Sequence, residues 1–410
     1  MSTETSRLRA WAEIDIAALR HNIQNLILAT VTADARVMPV VKADAYGHGI
    51  NNVVPALLGE GIRDLGVATP AEATRLRRLA PDSSIYLLTT TMPCDLPEIV
   101  DCRAIPLISD FRIGSALAQL AAEAGLTAEA HLDVDTGIGR AGVMPDDALT
   151  LLAELDSIPN LRITGIATHF ASADEDPEDA IAQHALFLAL LERLGPRTAR
   201  MTVHSSNSPA VMVFGSSGMH SLVRPGLLVY GIEPQPGMFF GQFASRGYLG
   251  PTGDFAQRGC VSPTGDFAQQ GCVSPTGGFR PVLSLKARVL QVRDLPGGVT
   301  ISYGRTFTVP PGGGRYATVG MGYGDGLPRR LSQGGNVILH GHARPICGRI
   351  CMDQMVVDVG ERGAKPGDIA TIIGTDGDST QTAGDLAALI GATPHELTTC
   401  LLPRLPRVCI

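Results

Sequence analysis

No apolar run in this 410-residue chain approaches the roughly 18 residues needed to cross a bilayer, so no transmembrane helix is expected. The opening stretch MSTETSRLRAWAEIDIAALRHN lacks an apolar h-region, and no secretory signal is expected either. The eight cysteines are scattered and form no CxxC pair, and Cys347 and Cys351 have no companion His/Cys cluster. That spacing offers neither a zinc site nor a disulfide framework, so reduced thiols in a cytoplasmic setting are the expectation. The chain also lacks a basic excess. Its net charge of −7 gives no electrostatic reason to bind nucleic acid or an anionic membrane, although a local basic pocket remains compatible with it. Finally, no G-x-G-x-x-G follows the first apolar run, which removes the main mark of a dinucleotide-binding sheet.

What is present has the composition of an ordinary globular protein, 44% hydrophobic and 18% charged, with length for two cores. From residue 36 to about 230, short apolar runs alternate with Ala/Leu-rich amphipathic stretches. The runs are VMPVVKA, DLGVAT, SIYLLTT, AIPLIS, AEAHLDVD, RITGIATH, MTVHSS and LVRPGLLVYG. Continuous runs of this kind fit strands buried on both faces of a parallel sheet. Eight strand–helix units in this length predict a (β/α)₈ TIM barrel over residues 9–235. After residue 280 the runs are strand-like and separated by Gly/Pro turns, predicting a mainly-β domain over 280–410 that ends in a short helical tail.

Between them, residues 236–279 read as an inserted linker. PTGDFAQRGCVS (251–262) is followed at once by PTGDFAQQGCVS (263–274), identical at eleven of twelve positions, and then by PTGGF. So few copies cannot bury a core by stacking, which favours a passive duplicated linker. A flap over the barrel mouth is the alternative reading, because the last strand delivers the chain there.

Lys42 stands at the end of the first apolar run, where a barrel places its chemistry. Burial there favours the neutral amine, the form that adds to carbonyls; a structural lysine reaching for the rim is the plainer reading. Other polar residues close the remaining runs: Asp133, Asp135, Thr136 and Arg140; then His169; then His204, Asn207 and Ser208; then Arg224 beside Gly226. Each alone reads equally well as a satisfied strand-end residue. Together they suit an organic phosphate carrying an aldehyde, and pyridoxal 5'-phosphate on Lys42 is the expected cofactor.

The motifs VVKADAYGHG, DTGIGRAG, THFASAD, HSSNSPA, RPGLLVYGI, SYGRTF and GRICMDQMVVDV together resemble the bacterial alanine racemase family. The resemblance runs in order from about residue 9 to the C-terminus, leaving out 236–278. It implies a barrel plus a β domain, acting as a head-to-tail homodimer in which each active site is completed by the partner's β domain. Lys42 would hold the cofactor. Tyr46, Ser208 and the backbone at Gly226 and Leu227 would face its phosphate. Arg224 would face the pyridine nitrogen with His169 beside it. Arg140 and the Met352 backbone would position the substrate carboxylate, and Tyr303 would be the catalytic tyrosine. The implied activity is two-base interconversion of L- and D-alanine, supplying D-alanine for peptidoglycan. Lys42 would serve one face and the partner's Tyr303 the other. A free tyrosine has a pKa of about 10, so a cationic network through His169 and Arg224 is expected to help it act as a base. Tyr323 would line the access route or merely mark a Gly-rich turn.

Arg224 weighs against the alternative of a basic-amino-acid decarboxylase on the same barrel. A guanidinium does not hand over its proton, so the ring is a weaker electron sink than with a carboxylate partner. A non-catalytic pyridoxal phosphate carrier would need no second domain. Two positions depart from the family. Asp133 stands where many members have a modified lysine, and is expected to orient Arg140 directly. Pro403 in LLPRLPRV falls where a tyrosine on the phosphate side is expected, which opens the alternative of a broader racemase that accepts serine. Deleting residues 251–274 is expected to leave activity and dimerisation at wild-type levels; enzyme assay and size-exclusion chromatography check it, and a loss of either would assign the repeat a role.

Overall fold

The computed structural model describes residues 5–31, 33–218, 220–234, 278–361 and 363–410. The tandem repeat at 251–274 lies outside them. The first strand, β1 (Ala10–Ile14), is taken by the second sheet and not by the barrel. It runs antiparallel to 283–287 and parallel to 407–409, so the sequence boundary at residue 9 put one strand on the wrong side. Its residues explain the placement. Trp11 is fully buried, bonds Glu13 through its indole N–H at 3.0 Å, and lies 5.4 Å under the Arg288 guanidinium. Burial of a side chain this large is worth about 3–5 kcal/mol against alanine.

The barrel strands are β2 (Arg36–Val37), β3 (Asp64–Val67), β4 (Ser84–Thr90), β5 (Ile105–Ile108), β6 (Ala128–Asp133), β7 (Leu161–Ala167), β8 (Thr202–His204) and β9 (Leu222–Val223). Strands β3 to β8 form a parallel sheet in sequence order, and β2 pairs in parallel with β9. The ring closes through two seams. Gly66 donates to Pro39 and accepts from Val41, joining β3 to the end of β2. Arg224 N donates to Ser206 O at 2.8 Å, joining the ends of β9 and β8. These closures make the eight-stranded barrel that the spacing predicts, with helices such as Pro70–Leu79 and Phe111–Glu123 packed outside. The helix starts are legible locally. Thr69 and Glu72 form a capping box, and Asp110 accepts from the Arg112 and Ile113 N–H groups.

The second domain contains β10 (Leu283–Leu295), β11 (Thr300–Ile301), β12 (Phe307–Thr308), β13 (Gly314–Val319), β14 (Asn336–Leu339), β15 (His342–Pro345), β16 (Met355–Asp358), β17 (Ile369–Asp376), β18 (Ser379–Gln381) and β19 (Arg407–Cys409). The first half of β10, LSLKARV, alternates buried and partly exposed positions, as a sheet with one covered face requires. That half pairs with β1 and β17; the second half swings to β13 across a bulge at Val289–Gln291. The long strand thus links the strands around β1 and β17 to the pair β13 and β16.

Two braces matter here, one within the second domain and one between it and the barrel. Asp325, its side chain only 3% exposed, accepts from Arg9 at 3.1 Å, Arg404 at 2.8 Å and Gly322 N at 2.9 Å. Arg9 and Arg404 also reach Asp353 O and Met352 O, so segments near the two ends of the chain hold that loop. The second brace is Gly47, with φ +81°, whose carbonyl accepts from Arg407 at 3.0 Å. A Cβ on Gly47 would fall 1.9 Å from Thr398 O in the helix Pro394–Thr399. Gly47→Ala is therefore expected to lower stability by about 1–3 kcal/mol, read from urea denaturation; a wild-type midpoint would show that the two domains separate without cost at this contact.

Candidate active site

Lys42 lies just past the strand it was expected to end. It opens the turn Lys42–Tyr46, in which Ala43, Asp44, Ala45 and Tyr46 all have φ between 52° and 58°. This is one turn of left-handed helix built without glycine. Each such residue costs about 1–2 kcal/mol, so surrounding contacts must hold the turn in place. A helical turn of either hand brings residues four apart onto one side. Lys42 and Tyr46 accordingly line the same cavity, of about 630 Å³, at the C-terminal mouth of the barrel. Tyr46 packs against Tyr230 with centroids 5.1 Å apart, and burial pushes its hydroxyl up to about 12. Tyr230 in turn stacks on His48 at 4.4 Å and donates to Val40 O at 3.0 Å. The Lys42 ammonium is driven below its ordinary pKa, first by burial and then by Arg140 and Arg224, with Glu72 opposing them.

On one side of the cavity the chain presents donors. Asn207 caps the helix Ser208–Phe214 through the Ala210 N–H at 3.0 Å, which sets Ser208 on its first turn. Ser208 Oγ accepts from Gly226 N at 3.0 Å and Leu228 N at 3.2 Å. A Cβ on Gly226 would lie 2.5 Å from Tyr46 Oη, so only glycine lets backbone N–H groups, the Ser208 hydroxyl and the Tyr46 hydroxyl converge. Polar hydrogen-bonding groups gathered around a glycine turn, next to an amine, fit a phosphate-bearing aldehyde.

The cavity wall also includes a residue that the sequence did not single out. His395, from the second domain, lines the cavity with its ring 6.4 Å from that of Tyr46. Its Nδ1 is buried with no partner, and burial followed by the Lys42 charge lowers its pKa. Pro403, expected to mark a missing phosphate contact, is exposed and absent from the cavity. The local signal, a histidine on the first turn of a short helix, is too common to pick out a site 350 residues away from Lys42.

Arg224 sits at the centre. It is 5% exposed, and its two terminal nitrogens donate to Thr168 O (2.7 Å), His204 O (3.1 Å), Ser205 O (3.2 Å), His204 Nδ1 (2.6 Å) and His169 Nδ1 (3.2 Å). Burial lowers its pKa to about 10, which leaves it charged at neutral pH. A guanidinium only donates, so both histidines must accept through Nδ1 and carry their proton on Nε2. His204 Nε2 then donates to His131 Nδ1 at 2.7 Å. Burial and the Arg224 charge hold His169 at about 3. The cationic network expected from the sequence is thus one cation flanked by neutral imidazoles. Asp133 is half-buried; burial raises its pKa, and Arg224 opposes this more than Arg140 does. No ion pair joins Asp133 to the exposed Arg140 among the described residues, so the direct pairing expected from the sequence is absent. Thr136 bonds Thr168 at 2.7 Å beneath the cavity.

Within one chain, Tyr303 and Met352 do not reach Lys42. They are 69% and 52% exposed and share a separate open depression with Ser302, Cys351 and Asp353. Tyr323 belongs to the same edge: its N–H donates to Cys351 O at 3.1 Å, and that of Gly324 to Met352 O at 2.8 Å.

Fold and cavity together define a class: a barrel with a reactive amine and phosphate-compatible donors at its mouth, joined to a β domain that displays a second polar edge. The comparisons narrow it. The family model for the alanine racemase N-terminal domain matches residues 14–234, and that for the C-terminal domain matches 282–409. Alanine racemase from Halothermothrix orenii is 33% identical over 97% of this chain and 96% of that protein. Alanine racemase from Streptomyces coelicolor is 35% identical over the full length of both. The solved structure from Streptomyces coelicolor superposes with a TM-score of 0.83 at 33% identity, covering 99% of each chain. Alanine racemase from Bartonella henselae, with covalently bound pyridoxal phosphate, gives 0.78 at 28% identity, covering 98% of this chain and all of that one. The chain belongs to the alanine racemase family. The relatives quoted are named for alanine, and nothing in them speaks for serine.

The neutral histidines make stability depend on pH. His131 is held at about 3 and His48 at about 4, with His204 well below its ordinary value, all through burial first. The unfolded chain therefore binds more protons below pH ~6.5, so the stability present above that value is lost as pH falls. Each histidine should remove about 1.4 kcal/mol per pH unit well below 6.5. Urea denaturation between pH 7 and 5 is expected to show this loss, with a shallower slope in His131→Asn; a flat profile would contradict the burial of neutral rings.

Proposed function

We propose that the protein interconverts L- and D-alanine with pyridoxal 5'-phosphate held on Lys42. The observation that carries this reading is the left-handed turn that aims Lys42 and Tyr46 into one cavity with Ser208, Gly226 and Arg224. When bound, the cofactor supplies the electron sink that makes the substrate Cα–H acidic. Tyr46, Ser208 and the backbone at Gly226 and Leu227 hold the phosphate, with His395 closing the wall. Arg224 would face the ring nitrogen, and a guanidinium keeps its own proton. Arg140 and the Met352 backbone take the substrate carboxylate.

Two bases on opposite faces move the Cα proton. The Lys42 amine, whose ammonium is disfavoured first by burial and then by two arginines, serves one face. Tyr303 of a second copy serves the other. His169 presents Nε2–H as a donor, which stabilises a tyrosinate oxygen without adding a charge of its own. The exposure of Tyr303 and Met352, away from Lys42, supports a homodimer with shared sites. No described helix is long and apolar enough to cross a membrane; we place the reaction in the cytoplasm, with D-alanine supplied to peptidoglycan.

The test is racemisation of L-alanine, followed by polarimetry, together with subunit mixing. Lys42→Ala and Tyr303→Phe homodimers are expected to be inactive, the first also failing to bind the cofactor covalently. Re-associated mixtures should recover roughly a quarter of wild-type activity, because half the dimers carry one intact shared site. No recovery in mixed dimers would place both bases in one subunit.

A further inference from the structure

The left-handed turn after Lys42 has no glycine to ease it, so something outside it must hold it. The helix Pro70–Leu79 lies against it and presents Glu72 and Arg75, three residues apart and thus on one face. Arg75 Nη1 donates to Asp44 Oδ1 at 3.0 Å, and that oxygen also accepts from Ile50 N at 3.1 Å. Glu72 does more. Oε1 accepts from Ala43 N at 2.6 Å, the first peptide after the lysine. Oε2 accepts from Ala68 N at 2.9 Å and Thr69 N at 3.2 Å, just beyond β3.

We infer that Glu72 is the positioning residue of Lys42, its carboxylate locking the peptide that follows the lysine to the end of the neighbouring barrel strand. Helix capping alone does not account for the arrangement. The capping box with Thr69 uses Oε2 and the Glu72 N–H to Thr69 Oγ1 bond at 3.3 Å, and leaves Oε1 free to serve the turn. A charged acceptor on a short bond is among the stronger contacts available to a backbone N–H. Its loss would let the turn relax and carry the amine out of register with Tyr46 and the Gly226 backbone.

The same carboxylate acts on charge. The groups acting on Lys42 are Arg140, Arg224, His169, His395 and Glu72. The histidines are neutral, so Glu72 is the anion set against two guanidinium groups. Its charge raises the Lys42 pKa against burial and the two arginines.

The inference rests on reading Lys42 as the reactive amine, and the experiment separates the two. Full-length protein purified without added cofactor is labelled with acetic anhydride across a pH series, and Lys42 acetylation is read by peptide mass spectrometry. Cofactor loading is followed separately with pyridoxal phosphate. Glu72→Gln is expected to move the Lys42 labelling midpoint to lower pH and to slow loading by up to about 100-fold. Glu72→Asp, which keeps the charge but falls short of Ala43, should slow loading while holding the midpoint nearer wild type. Thr69→Ala weakens only the cap and should move neither. The inference fails if Glu72→Gln leaves both at wild-type values, or if Thr69→Ala reproduces its effects. Should Glu72→Gln not fold, wild-type loading in Glu72→Asp would equally overturn it. Absence of Lys42 labelling and loading in the wild type would instead sink the assignment of Lys42.

Discussion

The site is organised around a guanidinium buried inside a protein barrel. Arg224 cannot shed its charge at neutral pH, and an unpaired buried charge costs several kcal/mol. Its two terminal nitrogens find three carbonyl oxygens and two imidazole nitrogens, supplied by the ends of β7 and β8. Those acceptors are also where the barrel closes, because Arg224 N itself bonds Ser206 O across the seam. One residue thus ties barrel closure, imidazole tautomers and cavity electrostatics together.

The consequences spread outward through charge. Burial, reinforced by the fixed cation, keeps His169 and His204 neutral, and the guanidinium sets a defined hydrogen-bond direction from Arg224 through His204 to His131. Beyond His131, Tyr86 packs at 5.3 Å and donates to Asp64 at 2.8 Å, and Asp64 pairs with Arg36 at the opposite rim. Part of the barrel interior is therefore filled by a polar chain where stacked aliphatic layers are the norm. Such a core is tolerated where buried donors such as those of Arg224, His204 and Tyr86 find acceptors. The same cation joins burial and Arg140 in pushing Lys42 toward its neutral form, while Glu72 pulls the other way.

Local patterns carried a good deal of this. Uninterrupted apolar runs announce buried parallel strands, and polar residues at their C-terminal ends announce the mouth, so Lys42, His169, Ser208 and Arg224 were legible from pattern, and Tyr46 from the family resemblance. The misses share a cause. β1 reads like any short strand, and only pairing with residues nearly 300 and 400 positions away assigns it to the second sheet. Asp133 was matched to Arg140 because it stands where the family has a modified lysine, but no ion pair joins the two among the described residues, and burial raises its pKa against the pull of both Arg224 and Arg140. His395 has an ordinary helix-start context and becomes a wall of the cavity only because Gly47 lets Thr398 approach. Glu72 looked like a capping residue, which it is; its second oxygen serves the turn after Lys42.

The sequence by itself determined the barrel-plus-β architecture, the family, and which residue types stand at the strand ends, because those depend on short-range periodicity and contiguous motifs. The tertiary structure alone decided the handedness of the turn that aims Lys42, the neutral state of His169, and the distance between Lys42 and Tyr303 within one chain. Each of these depends on burial and on contacts between segments far apart in sequence. A left-handed turn of alanine, aspartate and tyrosine has no favourable local reason to form, so only contacts such as those from Glu72, Arg75 and Tyr230 explain its presence.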